Sequence, residues 1–265
     1  MHLDAATAAP PPAPSRASPA MRAAALAGAA SALTTLALIL LPRLIEPATT
    51  MEARAARFGD TLYRSYLLVH ALHPLLALAA ACAVAQWCRR HSPLLAVLAI
   101  GGFSAWAMAE ALQQCMSWVA YQRLALAWPG ADAARRADWA AVWTAYQVVW
   151  DALYLFLVVG FLVGNTALMA ALLRGPAGQR WPALAFAGAA LLTLDIVAAE
   201  LGAGSLLSGA AGMWAYLAIQ PAARLAVALW LWQRAADAAA PPRNAFEATL
   251  PGSPPLHRAV NGEGA

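Results

Sequence analysis

Six apolar runs, at residues 23–41, 65–87, 93–118, 143–173, 182–203 and 211–232, recur along the chain and restrict its fold more than any other feature. A helix of about 20 residues crosses the roughly 30 Å hydrocarbon core of a bilayer. Helices and closed barrels are the structures that satisfy their own backbone hydrogen bonds there. Of the 265 residues, 62% are hydrophobic and 11% charged, against about 45–50% and about 25% in a globular domain. A water-soluble core cannot absorb that excess. The expected fold is all-α, a polytopic membrane bundle of six transmembrane helices, and the lipid bilayer is its first partner.

The run at 23–41 exceeds the roughly 7–15 residues of a signal-peptide core and lacks a small-x-small cleavage pattern after it, so it is expected to stay as an anchor. The run at 143–173 is too long for a perpendicular crossing. It is expected to tilt or to emerge with Trp139, Trp143, Tyr146 and Trp150 at the headgroups. Residues 1–21 are rich in alanine and proline without hydrophobic periodicity and read as a disordered tail, as do residues 236–265. The domain between them is 22–235.

The net charge of +4 comes from 17 basic residues that are all arginine, set in short clusters between the apolar runs. That pattern marks topology, and no nucleic-acid partner is expected. On the side of the termini lie Arg16, Arg22, Arg89, Arg90, Arg174, Arg180, Arg234, Arg243 and Arg258. Opposite them lie Arg43, Arg54, Arg57, Arg64, Arg123, Arg135 and Arg136. Nine against seven favours both termini in the cytoplasm and a place in the inner (plasma) membrane. Cys82, Cys88 and Cys115 show no C-x-x-C spacing and read as structural thiols.

An ionisable side chain at the centre of a membrane helix costs about 2.5–3.5 kcal/mol on insertion scales, so each is a candidate functional group until a partner explains it. Here they are His70, His73, Glu110, Asp151, Asp195, Glu200 and Arg224, accompanied by Gln113, Gln114, Gln147, Asn165 and Gln220. At 1.5 Å per residue, His70, His73, Glu110, Asp151 and Asp195 fall in one layer roughly 7–12 Å below the outer boundary, with Arg224 nearer the midplane. Gln147 and Asp151 share a helix face, as do Gln220 and Arg224, and Glu110 with Gln113 and Gln114. Glu200 is expected at the outer interface. Arg224 can neutralise one carboxylate, for which Asp151 and Asp195 are the candidates; the others need protons or water. The layer is either a set of interhelical bonds that stabilise the bundle or a hydrated site for a small molecule, lipid headgroup or proton.

Pro74 and Pro221 release the carbonyls of His70 and Leu217 beside this layer. The i, i+3 pair His70 and His73 permits a metal site completed by Glu110 or Asp151, or two hydrogen-bonded histidines without metal. The sequence has no H-E-x-x-H, no G-x-S-x-G, no glycine-rich phosphate loop and no lysine, so no cofactor is expected and an enzyme would rest on carboxylates and histidines. Gly160 and Gly164 have the G-x-x-x-G spacing that lets helices approach closely, and self-association as a homo-oligomer stays open.

Three segments carry a family likeness: "SAWAMAEALQQ" with Glu110, "WDALYLFLVVGFLVGNTALMAALLRG" followed by "RWPALAFAGAALL", and "IQPAARLAVALWLW". Through them the chain, from Arg22 to about Gln233, resembles the bacterial six-helix membrane proteins catalogued as domain of unknown function 4386. The resemblance implies a six-span fold and no settled activity. The chain departs from it at Trp106, where an arginine would be expected, and near Arg224, where an acid would be.

Overall fold

The computed structural model describes residues 17–177, 180–205, 207 and 209–239. It has helices α1 (Ala17–Leu44), α2 (Met51–Arg57), α3 (Thr61–Cys88), α4 (Pro93–Ala127), α5 (Ala133–Leu173), α6 (Ala183–Glu200) and α7 (Gly209–Ala239). Among the described residues, six of these, all but α2, are long and apolar enough to cross a membrane. Side chains such as Leu33, Leu72, Leu94, Met108, Leu184 and Leu229 are exposed on the outside, where lipid rather than water would solvate them.

The helices begin where short polar side chains take up free backbone N–H groups. Asp60 accepts from Leu62 N at 2.8 Å, and Asp132 from Arg135 N at 2.9 Å. Pro93 starts α4 in the first turn, where its missing N–H costs nothing. Two boundaries differ from the sequence reading. The first helix starts at Ala17, inside the expected 1–21 tail, because Pro19 is also tolerated in a first turn and the residues after it are good helix formers. The last helix runs on to Ala239, past 235. The rest of both expected tails lies outside the described residues.

Each span packs against its neighbours in the chain: α1 on α3, α3 on α4, α4 on α5, α5 on α6, α6 on α7. A broad α7–α1 seam then closes the ring. With six spans both ends emerge on one side. Toward that side the ring is filled by small residues, among them Ala80, Ala81, Ala96, Ala99 and Ala171, with Trp230, Leu168 and Leu172 completely enclosed. The tightest approach joins α4 to α5. A Cβ on Gly102 would stand 2.6 Å from Gly164 N and 2.8 Å from Gly160 O, so the G-x-x-x-G pair serves this seam within the chain.

At the far side, α4 and α5 run past the expected limits at 118 and 143 as a helical hairpin, and α2 lies against α4. Ala55, Leu124, Trp128 and Trp143 form a second small core there, flanked by Trp139 and Tyr146. The fourth span is one continuous helix, Ala133–Leu173. Trp143 is buried between helices rather than displayed to headgroups, because α2 and the end of α4 supply its partners. Arg54 lies 5.1 Å from the centre of its ring, and Arg57 ties α2 to the Glu46 carbonyl.

Candidate functional site

Between the packed half of the ring and the emergent hairpin lies a cavity of about 350 Å³ to which all six spans contribute. Its size falls at the lower end of the range for small-molecule sites, about 300–1,000 Å³. On α7, Tyr216, Gln220 and Arg224 follow one another at four-residue spacing and line it, while Val227, Trp230 and Leu231 already belong to the core. Arg224 thus marks its inner end, together with Trp106 from α4 and Phe161 from α5. Arg224, Gln220 and Phe161 also line a second enclosure of about 40 Å³, with Ser31 and Asn165.

The two histidines one turn apart on α3 have separate partners. His70 Nε2 lies 3.1 Å from Glu110 Oε1. His73 Nδ1 lies 2.9 Å from Thr34 Oγ1 on α1, and its ring meets the edge of Trp106 at 5.8 Å. Thr34 Oγ1 is also within reach of the Ala30 and Ser31 carbonyls of its own helix. A hydroxyl proton directed to those carbonyls makes His73 Nδ1–H the donor to Thr34. Among the described residues no group of three or more His, Cys, Asp and Glu is arranged to hold a metal ion. Asp151, one of the two acids that could complete a histidine metal site, is exposed and does not line this cavity.

Arg224 also departs from expectation. Its hydrogen bond among the described residues runs from Nη1 to Ser31 Oγ at 3.1 Å, and its guanidinium lies 5.6 Å from the Trp106 ring and 5.8 Å from that of Phe161. Nε is enclosed without a partner, and no ion pair ties Arg224 to Asp151 or Asp195. A guanidinium stays charged. Taking an unpaired charge out of water costs several kcal/mol, while a cation–π contact returns about 0.5–2 and a hydrogen bond to a charged group about 1.5–3. The aromatic faces and Ser31 offset part of that cost and leave a site that attracts negative charge.

Of the remaining candidates, Gln220 is buried, lines both enclosures and makes no hydrogen bond among the described residues. Gln114 is buried away from the cavity lining. Gln147 and Asp151 do share a face, but it borders a separate hollow of about 320 Å³ with Arg54, Tyr121 and Trp143. Asp195 accepts a hydrogen bond from Ser205 Oγ at 2.6 Å, which fastens the α6–α7 connection to α6. Glu200 is exposed at the end of α6. Gln113 lines the cavity and donates to the Trp150 carbonyl at 2.8 Å, and Asn165 donates to that of Phe161 at 2.7 Å.

Reasoning from charge alone overlooked Ser31, Thr34 and Thr35 on α1, and Tyr154 and Tyr216, which complete the polar surroundings. The signal was present in "SALTT", whose Ser31, Thr34 and Thr35 sit at i, i+3 and i+4 and share one face. No family model, curated protein or solved structure matches the chain. Its function is therefore read from these residues and their geometry.

Proposed function

We propose that the chain is a multi-pass inner-membrane protein that binds a small ligand within its helical ring, as a carrier, receptor or accessory protein rather than an enzyme. The observation that carries this reading is the cavity of about 350 Å³ walled by all six spans, with the charged Arg224 at its inner end. A bundle stabilised only by interhelical bonds would gain by filling that space with side chains, since voids forfeit packing. The nine-to-seven arginine count supports cytoplasmic termini. Glu110, where the likeness to the domain of unknown function 4386 and the reading of the residues agree, lines the cavity.

Ile196 lines the cavity and Leu229 points outward at 53% exposure. Native mass spectrometry and ligand-induced thermal shifts should show binding that Ile196→Trp removes and Leu229→Trp keeps. Equal binding by wild type and Ile196→Trp would sink the reading. The His70–Glu110 pair favours one second reading, an intramembrane enzyme or redox protein that uses His70, His73 and Glu110. Stoichiometric metal or haem in the purified protein would turn the choice toward it.

A further inference from the structure

We infer that the cavity takes an amphiphilic anion whose carboxylate or phosphate docks on Arg224. This rests on the ligand-binding reading above and adds the chemical class. The unpaired guanidinium decides the sign. The one carboxylate of the lining, Glu110, lies 3.1 Å from His70, and Arg224 is its permanent cation. No carboxylate among the described residues forms an ion pair with Arg224.

Donors stand where such an anion would need them. Nη1 of Arg224 is engaged by Ser31, and the rest of the guanidinium makes no hydrogen bond among the described residues. One turn earlier on the same face, the buried Gln220 amide has no hydrogen-bond partner among the described residues and borders the cavity. A guanidinium fork plus an amide N–H is a donor set for the oxygens of a carboxylate or phosphate. The lining also carries Leu38, Ile39, Leu157, Val158 and Ile196, which give an aliphatic chain apolar contacts beside the polar groups.

The test compares four probes of matched length on the protein in an uncharged detergent: octanoate, octyl phosphate, octanol and octylammonium, each followed by titration calorimetry. The two anions should bind roughly ten- to a hundredfold more tightly than octanol, the span expected for a charge-assisted hydrogen bond. Arg224→Gln should bring the anions down to the level of octanol and leave octanol unchanged. If Arg224→Gln does not fold, the wild-type series and Gln220→Leu, expected to weaken the anions several-fold and not octanol, decide in its place. Octanol or octylammonium binding as tightly as octanoate overturns the anion assignment while the cavity reading survives. Binding by none of the four overturns the cavity reading itself. Repeating the octanoate titration with added phosphatidylglycerol in nanodiscs, or with acetate or inorganic phosphate, separates the sources. Competition by the lipid assigns the site to a headgroup, and competition by the small ions assigns it to a soluble anion.

Discussion

His70 Nε2 stands 3.1 Å from Glu110 Oε1, with 23% of the histidine side chain and 6% of the glutamate side chain exposed, so one polar contact clamps α3 to α4 beside the cavity. Removing one member strands the other, which costs about 3–5 kcal/mol when the survivor stays charged and less when a proton neutralises it. His70→Ala should therefore lower the Tm in detergent clearly. Adding Glu110→Gln should restore most of the loss, because the double variant leaves no carboxylate stranded by the missing imidazole. Strictly additive losses would show that the two side chains are not coupled.

The α4–α5 seam offers a matched pair of substitutions on adjacent residues. A Cβ on Gly102 meets the Gly164 and Gly160 backbone under 3 Å, whereas one on Gly101 meets nothing within 4 Å. Gly102→Ala should cost about 1–3 kcal/mol by forcing the helices apart, and Gly101→Ala should be neutral or slightly stabilising. Denaturant titration of both variants checks the contrast; equal midpoints would refute the close approach.

Trp143 holds α2 in place through Ala55 and Arg54. Trp143→Ala should free α2 while the six spans stay folded, since it empties the small outer core and not the inner one. Limited trypsinolysis should then cut faster after Arg54 and Arg57, with the far-UV helical signal little changed. Unaltered cleavage would mean that α2 is held by other contacts.

Arg224→Ala should lower the folded yield through lost packing on Trp106 and Phe161 and the lost bond to Ser31. Neither Asp151→Asn nor Asp195→Asn should rescue it, because neither acid pairs with Arg224. Rescue by either one, measured as monodisperse protein after purification, would restore the salt bridge expected from the sequence.

For topology, a cysteine at Gly130 in an otherwise cysteine-free chain should react with an impermeant thiol reagent in intact spheroplasts, and one at Arg89 should not. The reverse pattern would put the hairpin of α4 and α5 in the cytoplasm.

The six spans were legible because bilayer thickness imposes a length that apolar runs must match, and Glu110, Gln220 and Arg224 were legible because charge or amide at that depth is rare. Direction around the helix was not. Depth places Asp151 close to the level of Arg224, but depth says nothing of direction; the stripe of Gln147 and Asp151 borders the hollow with Arg54 and Tyr121 and not the cavity of Arg224. Ser31, Thr34 and Thr35 escaped notice for another reason. Their hydroxyls can bond carbonyls of their own helix, so they sit in apolar segments at little cost and give no alarm. The short α2 lay below the length at which amphipathic periodicity can be read at all.

The ring, closed in chain order, bears on how such a protein comes into being. As the chain leaves the ribosome, each span that enters the bilayer finds its partner in the one just inserted, a local contact of the kind that forms early. The α7–α1 seam joins the two ends of the domain, through Arg224 and Ser31 among other pairs. Until α7 arrives the cavity lacks its sixth wall and its permanent cation. A compound that fits the cavity would therefore stabilise the state in which α7 has closed the ring, and would act as a pharmacological chaperone for that helix.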